Sequence, residues 1–201
     1  MRIGLAIYGS LESLSGGYFY DRKLVEYLQT NGDQVQVITL PWQNYFLHLS
    51  HNFIQSTLDR FYQLDVDILV QDELNHPSFA WMNRRLIERT HFPVISIVHH
   101  LRTSEKHPKS LKWIYRQVEK MYLQSIDGFI FNSEATRRAT EALRGERVSG
   151  VVAYPSGNRF GVDPSRHFVV QRAQEAGPLK LIFVGNIIPR KGLHTLIESL
   201  G

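Results

Sequence analysis

Apolar residues along this 201-residue chain fall into short continuous runs, and these alternate with polar stretches in which apolar positions recur every three or four residues. The runs have the length of buried strands and the stretches the period of amphipathic helices. Ile3 to Tyr8 predicts the first strand. Gly16-Gly17 opens a helix through Tyr18, Leu24, Val25 and Leu28 that stops at Asn31-Gly32. Strands follow at Gln34 to Leu40, Asp67 to Val70, Pro93 to Val98, Asp127 to Phe131 and Arg147 to Ala153. Between them the period predicts helices over Trp42 to Leu64, Pro77 to Arg89, Leu111 to Gln124 and Glu134 to Leu143, with His99 to Lys109 as a polar loop. On the long second helix, Tyr45, Leu49, Phe53, Leu58 and Phe61 share one side. Asn132 or Ser133 caps the helix at Glu134.

Tyr154 to Pro178 has no clear period and is rich in Pro and Gly, the composition of a linker. Leu179 to Val184 reads as one more strand, Gly185 to Pro189 as a turn, and Lys191 to Leu200 as a helix with Leu193, Leu196, Ile197 and Leu200 on one side. The expected organisation is a first domain over 1–154, a linker over 155–178, and over 179–201 the opening unit of a second, truncated domain. A lone strand–helix unit cannot bury its own apolar face. Strict alternation of strand and helix predicts the α/β class, a doubly wound parallel sheet with helices on both faces. Such sheets bind ligands beyond the carboxyl ends of their strands.

There is no cysteine, which excludes disulfides and thiolate metal sites. The first residues lack the length and cleavage site of a signal peptide, and no apolar stretch approaches the roughly 18 residues of a membrane span. A cytoplasmic protein is expected. The net charge of +4 is unevenly placed: Arg84 through Arg147 holds 13 basic and 7 acidic residues, or +6, leaving the rest slightly acidic. Within that region Lys109, Lys112, Arg116 and Lys120 form one stripe of a helix, flanked by Trp113 and Tyr122. This is either a solvated face or a peripheral contact with an anionic membrane. No feature points to nucleic acid.

The candidate chemistry sits after strands. Gly16 and Gly17 leave the backbone open to a phosphate at a helix start, although the glycine pattern of a dinucleotide fold is missing. His99, with His100 beside it, follows the fourth strand, where a histidine can accept a proton or hydrogen-bond a sugar. Gln71 and Asp72 follow the third strand, Asn132 and Ser133 the fifth, and Arg102 lies in the loop after His100; all are candidate acceptor contacts. His48 and His51 are expected on a helix surface, no carboxylate shows metal-site spacing, and no metal is expected. Asp65-Val66-Asp67 leads into a strand rather than out of one, so it falls at the wrong end of the sheet for a metal-dependent sugar transferase motif.

Taken in order, these positions resemble the retaining GT-B glycosyltransferases of family 4 type. The resemblance rests on Gly16-Gly17, Ile97-Val98-His99, Phe129-Ile130-Phe131-Asn132-Ser133, the exit Val152-Ala153-Tyr154-Pro155-Ser156-Gly157, and Phe183-Val184-Gly185-Asn186-Ile187-Ile188-Pro189-Arg190-Lys191-Gly192. It implies a Rossmann-like acceptor-side domain followed by the start of a nucleotide-sugar domain. It implies transfer of a hexose from a nucleotide-diphosphate sugar to a glycan, glycolipid or small-molecule hydroxyl, with no metal or other cofactor. His99 would be the catalytic contact, with Gly16, Gly17, Lys191, Arg190 and Asn186 around the donor diphosphate. Asn186 stands where the family has Arg, and Arg190 is the candidate replacement for that charge. The family's pair of glutamates eight positions apart has no counterpart, so residues 1–201 alone are expected to be inactive. Two other classes fit the pattern less fully: a non-catalytic acceptor- or membrane-binding domain, and a nucleotide-dependent oxidoreductase.

Overall fold

A computed structural model describes residues 1–155, 165–178 and 180–201, without the side chain of Arg190. The chain divides into two compact units, Met1–Gly157 and Asn158–Gly201. The first contains a six-stranded sheet in the order β2-β1-β3-β4-β5-β6. Its strands are β1 (Arg2–Tyr8), β2 (Gln34–Leu40), β3 (Ile68–Asp72), β4 (Val94–Val98), β5 (Gly128–Phe131) and β6 (Gly150–Val152), all parallel. The doubly wound α/β class is therefore correct. No helix among the described residues is long and apolar enough to cross a membrane.

Both sheet faces are covered, unequally. α1 (Gly16–Thr30) packs Tyr18 and Val25 over Ile3, Leu5, Ile7, Val70 and Ile97. The opposite face carries α2 (Tyr45–Ser50), α3 (Gln55–Tyr62), α4 (His76–Phe79), α5 (Met82–Ile87), α6 (Lys109–Gln124) and α7 (Glu134–Arg144). Their core includes Tyr8, Leu40, Phe61, Phe79, Met82, Tyr122 and Phe131. α3, α5 and α6 each bury two or more apolar side chains, and at about 1.5–3 kcal/mol each this outweighs the weak propensity of short helices.

Several expected elements are divided. The helix expected over Trp42 to Leu64 is α2, a 3-10 turn at His51–Phe53, and α3, because Ile54 is extended at φ −85°, ψ 107°. The break turns Phe53 away from the expected core side; it is 74% exposed. The helix expected over Pro77 to Arg89 is α4 and α5. Asn52 separates them, its Oδ1 accepting hydrogen bonds from the backbone N–H groups of Trp81 and Met82.

The second unit departs further. α8 (Arg166–Gln174) occupies part of the expected linker, capped by Ser165 and with no buried residue. Lys180 to Val184 forms no strand. A strand exists by pairing, and this segment is paired with no other strand among the described residues. The expected final helix shortens to a 3-10 turn at Pro189–Lys191 and α9 (Leu193–Glu198). Gly192 joins them at φ +71°, a left-handed conformation that favours glycine. Leu179, Ser156, Gly157, Gly161 and Pro164, which figured in the linker and strand expectations, lie outside the described residues.

Candidate functional site

Period-two alternation explains how the site assembles. Val70 and Ile97 point toward α1. Asp72, two residues after Val70 and paired in register with Ile97, is carried to the same face at the strand end. His99 continues the Ile95, Ile97 column one step past β4. Asp21 reaches the same place from α1, three residues after buried Tyr18 and four before buried Val25. The side chains of Asp21, Asp72 and His99 converge there, each offering a ligand-type atom within 4.8 Å of the others. The place is the topological switch, where α1 leaves β1 toward one side and β3 leads to the other.

His99 Nε2 is 3.0 Å from Asp21 Oδ1. Asp21 is fully buried, and its Oδ2 has no hydrogen-bond partner. Burial lowers the imidazole's proton affinity, but the Asp21 hydrogen bond and the charges of Asp72, Asp21 and Glu73 outweigh it, and His99 is shifted up. Burial, then the neighbouring Asp21, pushes Asp72 up to about 7, with His99 opposing. His99 packs against Tyr20 edge to face at 5.1 Å. A Cβ on Gly17 would lie 3.3 Å from His99 Cδ2, so Gly17 lets the imidazole approach α1. A Cβ on Gly16 would meet nothing within 4 Å. Ser15 caps α1, accepting from the Tyr18 N–H.

A second polar group adjoins it. Glu73, His76 and Glu119 are all buried and mutually close. Glu119, on the apolar stripe of α6 between Tyr115 and Tyr122, accepts from the backbone N–H groups of Arg102 and Thr103 and from Thr103 Oγ1. It thereby ties α6 to the loop after His99. His76 Nδ1 lies 3.0 Å from both the carbonyl and the Oε1 of Glu73, but it aligns for a hydrogen bond only with the carbonyl. Oε1 is left without a donor. Burial raises Glu73 to about 8; burial and the charge of Glu73 raise Glu119 to about 7. Two carboxyl groups in this state retain protons near neutrality.

The remaining expected residues are placed as follows. Gln71 is buried on the other sheet face, its amide in reciprocal hydrogen bonds with Asn83. Asn132 donates to the His99 carbonyl and accepts from Thr136 Oγ1, while Ser133 caps α7. Both hold the loop and helix in place. His100 is exposed, 3.6 Å from Glu105. Arg102 lies against Tyr45 and Tyr115. Asn186 and Lys191 are exposed residues of the second unit, and the Arg190 side chain lies outside the described residues. Asp65 and Asp67 both pair with Arg2 at the amino end of the sheet, as their position before a strand implies.

Two expectations need correction. His48 and His51 are buried, not on a surface. The break at Ile54 and the contact of α2 with α4 turn them inward; His48 stacks on Tyr8 at 3.8 Å and His51 Nδ1 meets Ser78 Oγ at 2.8 Å. Burial lowers His48 to about 4. Tyr122 does not flank the basic stripe, because it lies on the core side of α6 with its hydroxyl donating to Ser96. Trp113 does flank it, at 66% exposure. Carboxylates and a histidine do gather twice, with their ligand-type atoms within 4.8 Å of one another, groupings that no sequence spacing indicates. Either cluster has the donor types for a divalent cation. Asp21, His76 and Glu119 were missed as site residues. The legible signal was an acid on an apolar helical stripe, at Asp21 and again at Glu119.

No family model and no curated protein matches this chain.

Proposed function

We propose that this protein is the acceptor-side portion of a glycosyltransferase that moves a sugar from a nucleotide-diphosphate donor to an acceptor hydroxyl. The observation that carries the reading is the Asp21–His99 pair at the switch point of a parallel sheet. A histidine held by a buried carboxylate, with a further carboxyl group beside it, is suited to orient and hydrogen-bond hydroxyl groups. Asp21 and Asp72 make the site acidic, which favours sugar hydroxyls there over the donor diphosphate. In this reading Asn186 and Lys191, with Arg190, serve the diphosphate.

Transfer by the natural protein, assayed with radiolabelled nucleotide sugars, tests this. His99→Ala lowers turnover at least ~100-fold, the scale of a positioned group acting in the transition state. His100→Ala lowers it less. Undiminished transfer by His99→Ala would remove the basis of the reading.

A further inference from the structure

Arg102 is a half-buried arginine whose side chain has no hydrogen-bond or ion-pair partner among the described residues. Among the described residues four other arginines have the same half-buried setting, and each has an oxygen partner. Arg22 donates to the Leu11 carbonyl at 2.9 Å, Arg85 to Gln55 at 3.0 Å, Arg137 to Glu141 at 3.3 Å and Arg144 to Glu146 at 2.7 Å. The Nε of Arg102 is buried with no acceptor. A buried Nε–H with no acceptor is costly.

This arginine is also held in place. Its guanidinium lies over the Tyr115 ring at 4.5 Å and the Tyr45 ring at 4.9 Å, and the two rings meet edge to face at 4.5 Å. Such stacking sets the plane of the donor fork and leaves its edge for a planar or tetrahedral oxyanion. The backbone is fixed as well: the Arg102 N–H donates to Glu119 at 2.6 Å, and His107 Nε2 lies 2.9 Å from the Arg102 carbonyl. The nearby acids do not neutralise it in full, because burial keeps Glu73 and Glu119 toward their protonated forms. Its position, three residues after His99, puts it on the same loop as the site above.

We propose that Arg102, oriented by Tyr45 and Tyr115, is the receptor for a phosphate-type oxyanion carried by the acceptor. The word acceptor rests on the proposed function; the anion site does not. The chemistry fits a soluble phosphate ester or a phospholipid headgroup, and the test separates the two.

The Nε–Hε resonances of the arginines are followed by NMR in the natural protein. Inorganic phosphate and glycerol phosphate are added in solution, and phosphatidylcholine vesicles are added with and without phosphatidic acid. The Arg102 resonance is expected to shift saturably, more than that of any other arginine. Arg102→Gln weakens binding at least ~10-fold, as for loss of a charge-assisted bidentate contact, and Arg102→Lys restores part of it. Binding of dissolved phosphate supports a soluble acceptor. Binding only of phosphatidic acid vesicles, lost in Arg102→Gln, supports a lipid headgroup. An Arg102 resonance unmoved by either source, or equal binding by Arg102→Gln, overturns the proposal. Should Arg102→Gln fail to fold, the wild-type resonance decides. Phosphate bound at Arg102 in a protein that transfers no sugar overturns the proposed function alone.

Discussion

At the amino end of the sheet, Asp65 and Asp67 meet Arg2 at the surface, and Asp33 takes the terminal amine of Met1 at 2.8 Å. At the carboxyl end, Asp21, Asp72, Glu73 and Glu119 are buried together, with oxygens of Asp21 and Glu73 unpartnered. The same side-chain types are thus charged, paired and exposed at one end, and crowded, desolvated and under-satisfied at the other. Surface pairs of the first kind contribute at most about 1 kcal/mol. A buried cluster of the second kind opposes stability when ionised and persists where its chemistry is used. The contrast places the candidate site at the carboxyl end of the sheet.

The largest expected effect breaks the comparison at single residues. Asp21→Asn removes the carboxylate that holds His99, and turnover of the natural protein should fall ~10- to 100-fold, with the His99 titration moving down. Asp67→Asn, at the opposite end, should leave turnover nearly unchanged. NMR titration of the His99 ring gives the readout that a purely structural role would not move. Equal losses for both variants would erase the distinction between the ends.

The second effect is on stability against pH. Glu73 is raised to about 8 in the fold, above its ordinary value near 4.5. A raised carboxyl group favours folding most below the unfolded pKa, and that contribution is lost as pH rises through the folded one. Urea unfolding should therefore show falling stability between about pH 5 and about pH 8. Glu73→Gln cannot ionise and should flatten that slope, by an amount on the order of a few kcal/mol across the window. At the amino end the sign is opposite: hydrogen bonds from Arg2 hold Asp67 below its ordinary value, so its contribution is lost only as pH falls into the acid range. An unchanged slope in Glu73→Gln would show that the buried acid does not carry the pH dependence.

The smallest effect concerns the basic stripe. Lys109, Lys112 and Arg116 are exposed beside Trp113. If the stripe meets an anionic membrane, co-sedimentation with phosphatidylserine vesicles should weaken in high salt and in a triple alanine variant, at about 1 kcal/mol per charge. Equal sedimentation with neutral and anionic vesicles would make the stripe a solvated face.

Much of this architecture was legible without coordinates. Apolar runs separated by helical periods determine a parallel α/β sheet, because only covered faces tolerate strands such as Ile3 to Tyr8 that are apolar throughout. The same pattern placed His99 just past a strand end, where such sheets present ligands. Asn132 and Ser133 were legible as helix-capping residues, and that is the work Ser133 does. The paired Asp65 and Asp67 were rightly set aside, since direction along a strand alone assigns them to the other end.

What needed three dimensions was every relation between distant residues. Asp21 meets His99 across 78 positions, and Glu119 meets Arg102 across 17, because parallel strands bring the loops that follow them, and the helices packed beside those loops, to one edge. Helix continuity was likewise decided by tertiary hydrogen bonds, as Asn52 shows by claiming the N–H groups of Trp81 and Met82. Lys180 to Val184 shows the converse: apolar strand character without a partner gives no strand. Periodicity records which face of an element is buried, a local property of one chain segment. Which groups share a buried place, and therefore which protons and charges they hold, depends on the energy of desolvating them together, and only the packed structure sets that.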